Sequence, residues 1–423
     1  MRDLLILSII ISSAFASTEV GGDVSGVWEK SGSPYYITEP IYVYPGKTLI
    51  IKPGCSVIFK EPYFGFCVDS NAVLKAIGTE KDSIFFIAEN DRKAHHGVHF
   101  SFSADGCSLA YCRIEGGVST GYSSTDCGGG VACCNSNPTI THCTITGNYT
   151  SGRWGYGGGI VCLHSDAVII HNTIYDNEAF HYGGGIACYN NSNPTITGNT
   201  IIGNSARWGG GIACYNNSNA TIMNNLIKGN FAEGGGGIYA EDSDPTIVNN
   251  IIAVNTVVGK SSESWGGGIC CGGANPIIIN NTITENLAEG SGFGGGVFFW
   301  RDCKARLANN IIWGNTADNA EEMYIEYFGY EDSIDPCTVF VAYSNIDKHK
   351  CSIESDGGVI IWGEGNIAAD PSYADTLYRL SGNSPCKNAG SESIYIPFWN
   401  SSIELEKLGL PIERRKCDIG MMN

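Results

Sequence analysis

Triple glycines open at Gly128, Gly157, Gly183, Gly209, Gly235, Gly266 and Gly294, at intervals of 29, 26, 26, 26, 31 and 28 residues. Two of the units read GGGIACYNNSNPTITGNTIIGNSARW from Gly183 and GGGIACYNNSNATIMNNLIKGN from Gly209. Self-similarity at such a period marks a solenoid, in which each unit buries its apolar face only against its neighbours. A helical solenoid is excluded, because the units carry no apolar residues at helical spacing and a glycine triplet would break a helix.

Aligning the units on their glycines yields three aliphatic columns. The first holds Val131, Ile160, Ile186, Ile212, Ile238, Ile269 and Val297. The second holds Ile140, Ile169, Ile196, Ile222, Ile247, Ile278 and Leu307, and the third Ile145, Ile174, Ile201, Ile227, Ile252, Ile283 and Ile312. Each sits in a short β-prone run flanked by Gly, Asn, Ser or Asp, the pattern of short strands separated by turns. Three strands per unit predict three faces. Equivalent strands stacked about 4.8 Å apart would form three parallel sheets around one aliphatic stack, a single-stranded right-handed parallel β-helix of the all-β class.

Two asparagine columns follow the turns. Between the second and third strands stand Asn172, Asn199, Asn225, Asn250, Asn281 and Asn310, with Cys143 in the first unit. After the third strand stand Asn148, Asn177, Asn204, Asn230, Asn255, Asn286 and Asn315. Asparagine tolerates the left-handed backbone of a sharp turn, and its amide can bond to the identical amide one coil away, so a structural ladder is expected. Asn148, Asn190, Asn216, Asn219, Asn280 and Asn400 also begin N-x-S/T triplets. The turn periodicity already accounts for them, and an inward-pointing amide could not accept a sugar.

A solenoid grows along one axis, so the 423 residues are read as one domain with four stretches. Residues 1–16 are read as a signal peptide, from Arg2, the apolar Leu4 to Ile11 and the small-residue site Ala14-Phe15-Ala16. Residues 17–127 form an N-terminal cap and first coils, 128–318 the regular repeats, and 319–423 the last coils and a C-terminal capping segment. A secreted, extracellular or cell-surface protein of bacterial type is therefore expected, with no membrane span after cleavage. A formal charge of −18, with 25 Lys plus Arg, argues against nucleic acid as a partner.

Eighteen cysteines invite a disulfide reading in a secreted chain. Cys133, Cys162, Cys188, Cys214 and Cys271, however, share one inward column, where in-register neighbours lie farther apart than a disulfide wants, so free buried thiols are expected. Off that column, Cys337 with Cys351 and Cys386 with Cys417 are candidate bridges. Adjacent pairs such as Cys133-Cys134 point to opposite faces, which disfavours zinc.

Before the array, YYITEPIYVYPGKTLIIKPGCSVIFK and GTEKDSIFFIAEN resemble the opening of bacterial secreted right-handed β-helix proteins. The GGGI and GN signatures resemble repeats of the polymorphic outer-membrane proteins. DPSYADTLYRLSGNSPCKNAG followed by CDIG resembles the closing segment of choice-of-anchor Q proteins. The resemblance implies the same fold and says little of activity. It also implies a C-terminal anchor, whereas this chain stops at Asn423, five residues past Asp418, so none is expected to follow.

β-Helices host lyases, epimerases and hydrolases of polysaccharides, yet fold does not decide activity. The NTD, DD, GHG and RIK elements of polygalacturonase-like enzymes, the DPHE of alginate epimerases and the RxPxxR of pectate lyases are all missing. The outward column beside the first strand reads Ala132, Val161, Ala187, Ala213, Tyr239, Cys270 and Phe298, no place for a base and clustered calcium-binding carboxylates.

Two outward features remain. Tyr156, Tyr182, Trp208, Trp265 and Phe293 precede the glycines, with Gly234 interrupting. Tyr182, Trp208, Trp265 and Phe293 are the candidate carbohydrate-binding residues, rings repeated every coil as a flat platform for sugars; the competing reading is that they cover the glycine turn. Asp91 to His99, DRKAHHGVH, offers His95, His96 and His99 as metal ligands or a base, against the simpler reading of a solvated loop. The acidic run Glu241-Asp242-Ser243-Asp244 reads as a polar turn. Calcium is possible there, and no cofactor is otherwise indicated.

These features predict a non-catalytic role in adhesion, surface structure or glycan binding, with extracellular polysaccharide or host and cell-surface components as partners. The alternative is a divergent polysaccharide lyase or glycoside hydrolase, with its site in the N-terminal coils or the Val257 to Ser264 insertion.

Overall fold

The computed structural model describes residues 17–90, 95–120, 128–153, 155–259, 264–326, 336–354, 358–396, 401–404 and 420. Its described strands are almost all parallel, and only Ser393–Ile396 with Ser401–Glu404 and the lone Tyr373 to Leu380 bridge run antiparallel.

The unit at Gly183 shows how a coil is made. Ile186–Tyr189, Thr195–Thr197 and Thr200–Ile202 are its three strands. Each pairs with its equivalents before and after, so Ile186 lies opposite Ile160 and Ile212, Ile196 opposite Ile169 and Ile222, and Ile201 opposite Ile174 and Ile227. All three columns are fully buried in one continuous core. Shifting any strand by one residue would turn its isoleucine to solvent, which is why the register holds along the array.

The glycine triplet has two separate jobs. Gly183 takes a left-handed backbone, φ 66°, which bends the chain into the first strand. Gly184 and Gly185 are needed for contact, because a Cβ on either would meet the carbonyls of Gly210 and Gly211 at 2.6 and 2.7 Å.

Three faces are not the whole architecture. The second strands form a 13-stranded sheet, while the first and third strands merge into a 24-stranded one. They join because the long Tyr35–Val43 strand pairs with both Ser56–Phe59 and Phe66–Val68. A fourth, narrow ladder follows the second asparagine column, running through Glu178–Ala179, Phe231–Ala232, Thr256–Val258, Leu287–Phe293 and Thr316–Asn319. These runs are short and their buried column is mostly alanine, Ala179, Ala232, Val257 and Ala288, so periodicity alone does not reveal them.

Both asparagine columns are buried and hydrogen-bonded amide to amide. Asn172 Nδ2 donates to Asn199 Oδ1 at 3.0 Å and to the Ile140 carbonyl at 2.9 Å, and the same pattern repeats through Asn225, Asn250, Asn281 and Asn310. The second column runs likewise from Asn148 to Asn315 and ends on a carboxyl group, with Asn315 Nδ2 donating to Glu322 Oε2 at 2.7 Å. Burial raises the Glu322 carboxyl to about 7. A third ladder, of serines, links Ser165, Ser192, Ser218 and Ser243 through backbone N–H to hydroxyl bonds.

The ends differ from the middle. Aromatic side chains replace isoleucine in the first coils, where Trp28 stacks on Tyr35 at 4.6 Å and meets Phe66 edge-on. Near the C-terminus, Tyr373, Tyr378 and Cys386 pack outside the third-strand ladder against Ile251 and Ile311. Asn309 pins this segment through two bonds to Ser391.

The described cysteines are free thiols. Cys337 does not bridge to Cys351, because Cys337 lies in the second-strand sheet and Cys351 in the sheet of first strands. Cys337 instead lies against the thiol of Cys303 one coil below, and the Cys303 thiol is pushed up by burial and then by its contact with Cys337. Cys417 lies outside the described residues, as do residues 1–16, where a signal peptide is expected.

Candidate functional site

Side chains on the outward face of the first strand would ordinarily meet water. Here Ala213, Tyr239, Cys270 and Phe298 are buried beneath a second apolar layer that contains Tyr182, Trp208, Trp265, Phe293 and Trp300. The rings before the glycines therefore cover this strand rather than the glycine turn. Along the column the ring angles vary, Tyr156 and Tyr182 meeting at 71° while Trp208 and Trp265 lie within 6° of parallel.

Between them lies a cleft of about 340 Å³. Its floor is Tyr239, Cys270 and Phe298; one wall is Tyr182, Trp208 and Trp265, and the other is Trp300 with Glu241. Three candidate residues thus come together, while Phe293 stands aside with its ring against Tyr324 at 4.8 Å.

Glycines shape both walls. Gly234 occupies the coil between Trp208 and Trp265 in the wall ladder. With no side chain there, the two indoles close to 5.8 Å at an interplanar angle of 6°. A Cβ on Gly234 would sit 2.6 Å from Trp208 Cζ3. On the facing wall the register runs Tyr215, Glu241, Gly272, Trp300. Side chains at Gly272 and Gly273 would overlap the Trp300 indole and the Arg301 guanidinium, so these glycines let Trp300 and Arg301 lie down across the coil beneath.

That posture brings a charged group to the cleft. Arg301 contacts the Asp242 carboxylate, stands 3.8 Å from Glu241 Oε1, and lies 4.9 Å from the Trp300 ring centroid. Glu241 Oε2 accepts a bond from the Tyr239 hydroxyl at 2.7 Å. Burial is the largest influence on Glu241 and raises its carboxyl above the usual range, with neighbouring Asp242 adding to the effect. Opposite, Arg207 pairs with Glu233 at 3.0 Å and lies 5.5 Å from the Trp208 ring. His181, beside this edge, is held below its ordinary value by burial and then by Arg207 and Arg153.

The acidic run is consequently more than a turn. Glu241 ends a first strand and lines the cleft, Asp242 binds Arg301, and Ser243 belongs to the serine ladder. The aromatic columns are visible in the sequence, whereas Glu241, Arg301 and Trp300 are linked only by side chains that reach across coils. The paired glycines Gly272-Gly273 are the one local signal for that reach.

The histidine cluster separates. His95 is completely buried, stacked on Phe59 at 4.5 Å, and not part of a solvated loop. Its Nδ1 accepts from the Gly97 N–H and its Nε2 faces the Glu115 carbonyl at 2.9 Å, so burial holds the ring neutral with its pKa lowered to about 4. His96 and His99 stack at 5.1 Å beside Cys67, whose thiol is pushed up to about 11 by burial. Asp91 to Ala94 and the insertion at 260–263 lie outside the described residues. Among the described residues, no three His, Cys, Asp or Glu side chains converge as metal ligands would.

Residues 77–264 match the family model described as the right handed beta helix region. The chain is a right-handed parallel β-helix protein. Solved structures similar to this β-helix include the periplasmic alginate epimerase AlgG, 15% identical with a TM-score of 0.43 over 78% of each chain. Pectate lyase Pel9A is 12% identical with a TM-score of 0.38, covering 90% of this chain and 88% of that one. Among curated proteins, none matches the sequence. The narrower likeness to polymorphic outer-membrane and choice-of-anchor Q proteins remains one of sequence motifs.

Proposed function

We propose that this β-helix is a secreted or cell-surface protein that binds an extracellular glycan in the aromatic cleft without turning it over. The observation that carries the reading is the construction of the cleft. Three glycines stand where a side chain would collide, two with the Trp208 and Trp300 indoles and one with the Arg301 guanidinium, and the indoles line an apolar trough with one carboxylate. Core packing alone has no use for such openings, whereas sugar rings present apolar faces that stack on indoles. The charged groups at the rim are engaged with one another, Arg301 with Asp242 and Arg207 with Glu233.

A second reading has one observation of its own. Glu241 is a carboxyl of raised pKa in a cleft, hydrogen-bonded to Tyr239, which is how a general acid is prepared. On that reading the protein is a polysaccharide lyase or glycosidase. The test is residues 17–423 titrated with acidic and neutral polysaccharides, with binding and released product followed together. Binding without product, lost on Trp265→Ala, supports the proposal. Product formation lost on Glu241→Gln establishes the enzyme, and binding that survives Trp265→Ala places the site elsewhere.

A further inference from the structure

We propose that the group the cleft receives is an ammonium cation, free or borne on an amino sugar. The inference rests on reading the cleft as a ligand site and names the chemistry of its occupant.

Aromatic faces and one carboxylate are the two components that recognise ammonium ions. The quadrupole of each ring places negative potential over its face, and a weakly hydrated cation loses little on leaving water for such a surface. Here Trp208, Tyr239, Trp265, Phe298 and Trp300 surround the space, with Glu241 in the wall. Among the described residues, the carboxylate's cationic neighbour in the ion-pair geometry is Arg301 at 3.8 Å, long for a hydrogen bond, while that guanidinium is committed to Asp242 and to the Trp300 ring. Arg301 over Trp300 and Arg207 over Trp208 show that the two flanking indoles already hold cations of the chain itself. Interior faces of the same rings offer an incoming cation the same attraction in a more enclosed space. A chain of formal charge −18 also draws cations toward its surface.

A neutral sugar would use this site less well. Its hydroxyls need several hydrogen-bonding partners, and the polar groups lining the cleft are the Glu241 carboxylate, the Tyr182 and Tyr239 hydroxyls, the Cys270 thiol and the indole N–H groups. Tyr239 is already committed to Glu241.

The experiment compares charged ligands with neutral counterparts of the same shape, on the full mature chain, by tryptophan fluorescence and calorimetry. The pairs are choline with 3,3-dimethylbutanol, and a glucosamine oligomer with its N-acetylated form. The expected result is saturable binding of at least one charged member, about ten-fold or more tighter than its neutral counterpart. Choline binding identifies a free methylated ammonium, and glucosamine-oligomer binding alone identifies an amino sugar. Glu241→Gln should remove most of that preference, and this variant keeps the side-chain shape, so folding is retained. Equal affinity within both pairs, or a preference untouched by Glu241→Gln, overturns the inference. If neutral polysaccharide binds while the charged members show no advantage, the cation is wrong and the glycan reading stands; if nothing binds, both fail.

Discussion

Gly234→Ala perturbs the cleft with the smallest possible addition. Gly234 has no left-handed backbone to protect, so a methyl group is conformationally acceptable, and removing a glycine from strand-like backbone should stabilise the fold by about 0.4–1 kcal/mol. The new Cβ would lie 2.6 Å from Trp208 Cζ3, where an ordinary contact needs about 3.5–4 Å. The indole must swing away by about 1 Å, breaking a stacked pair whose parallel geometry contributes about 0.5–1.5 kcal/mol beyond its buried area. The two effects nearly cancel, so the denaturation midpoint should move little. The local change should be clear, because the Trp208 indole N–H resonance reports the displaced ring. Gly234→Ala should move that resonance while keeping the β-sheet circular dichroism. An unmoved resonance, or a full gain of stability with unchanged ligand binding, would refute the claim that Gly234 exists to admit Trp208.

Three further outcomes follow from the interior. Asn230→Ala removes the acceptor for Asn204 N and Nδ2, both at 3.0 Å, and the donor to Asn255 Oδ1 and the Ile201 carbonyl, so urea titration should show a loss of about 4 kcal/mol at about 1 kcal/mol per bond; a loss below about 1 kcal/mol would show that the ladder is ornamental. Glu322 has a folded pKa of about 7 against 4.5 when free, so its protonated form is favoured in the fold. Its contribution is fully present below pH 4.5 and is lost as pH rises to about 7, a decline of about 3 kcal/mol that Glu322→Gln should flatten. Fourteen of the sixteen described cysteines are buried and two half-buried, so a thiol reagent should label at most four of the eighteen in the native protein and all of them in guanidinium.

What was legible in the sequence is what repeats. Isoleucine columns and glycine triplets fix period, strand count on three faces and register, because each coil faces the same environment as the last and the same side chains recur. The asparagine columns were readable for the same reason. The fourth ladder was not, since runs such as Glu178–Ala179 and Phe231–Ala232 are two residues long and share only a small alanine. The cleft was half legible: Tyr182, Trp208 and Trp265 stand in one column, but Gly234 looked like an interruption until its lack of a side chain was seen to join two indoles. Glu241 and Arg301 belong to coils two apart, and only the tilt of a side chain over Gly272-Gly273 connects them. His95 misled because its neighbours in sequence are polar, while its position in the coil faces the core against Phe59.

On the proposed function, one cleft, and not the surface at large, receives the ligand. The most direct measurement is the set of tryptophan indole N–H resonances during titration with whichever polysaccharide or ammonium ligand binds, eight tryptophans being present in the chain. The signals of Trp208, Trp265 and Trp300 should shift together and saturate with one dissociation constant, while Trp28, stacked on Tyr35 in the first coils, stays still. Shifts confined to Trp28 or to other tryptophans, with the cleft trio unmoved, would contradict the claim.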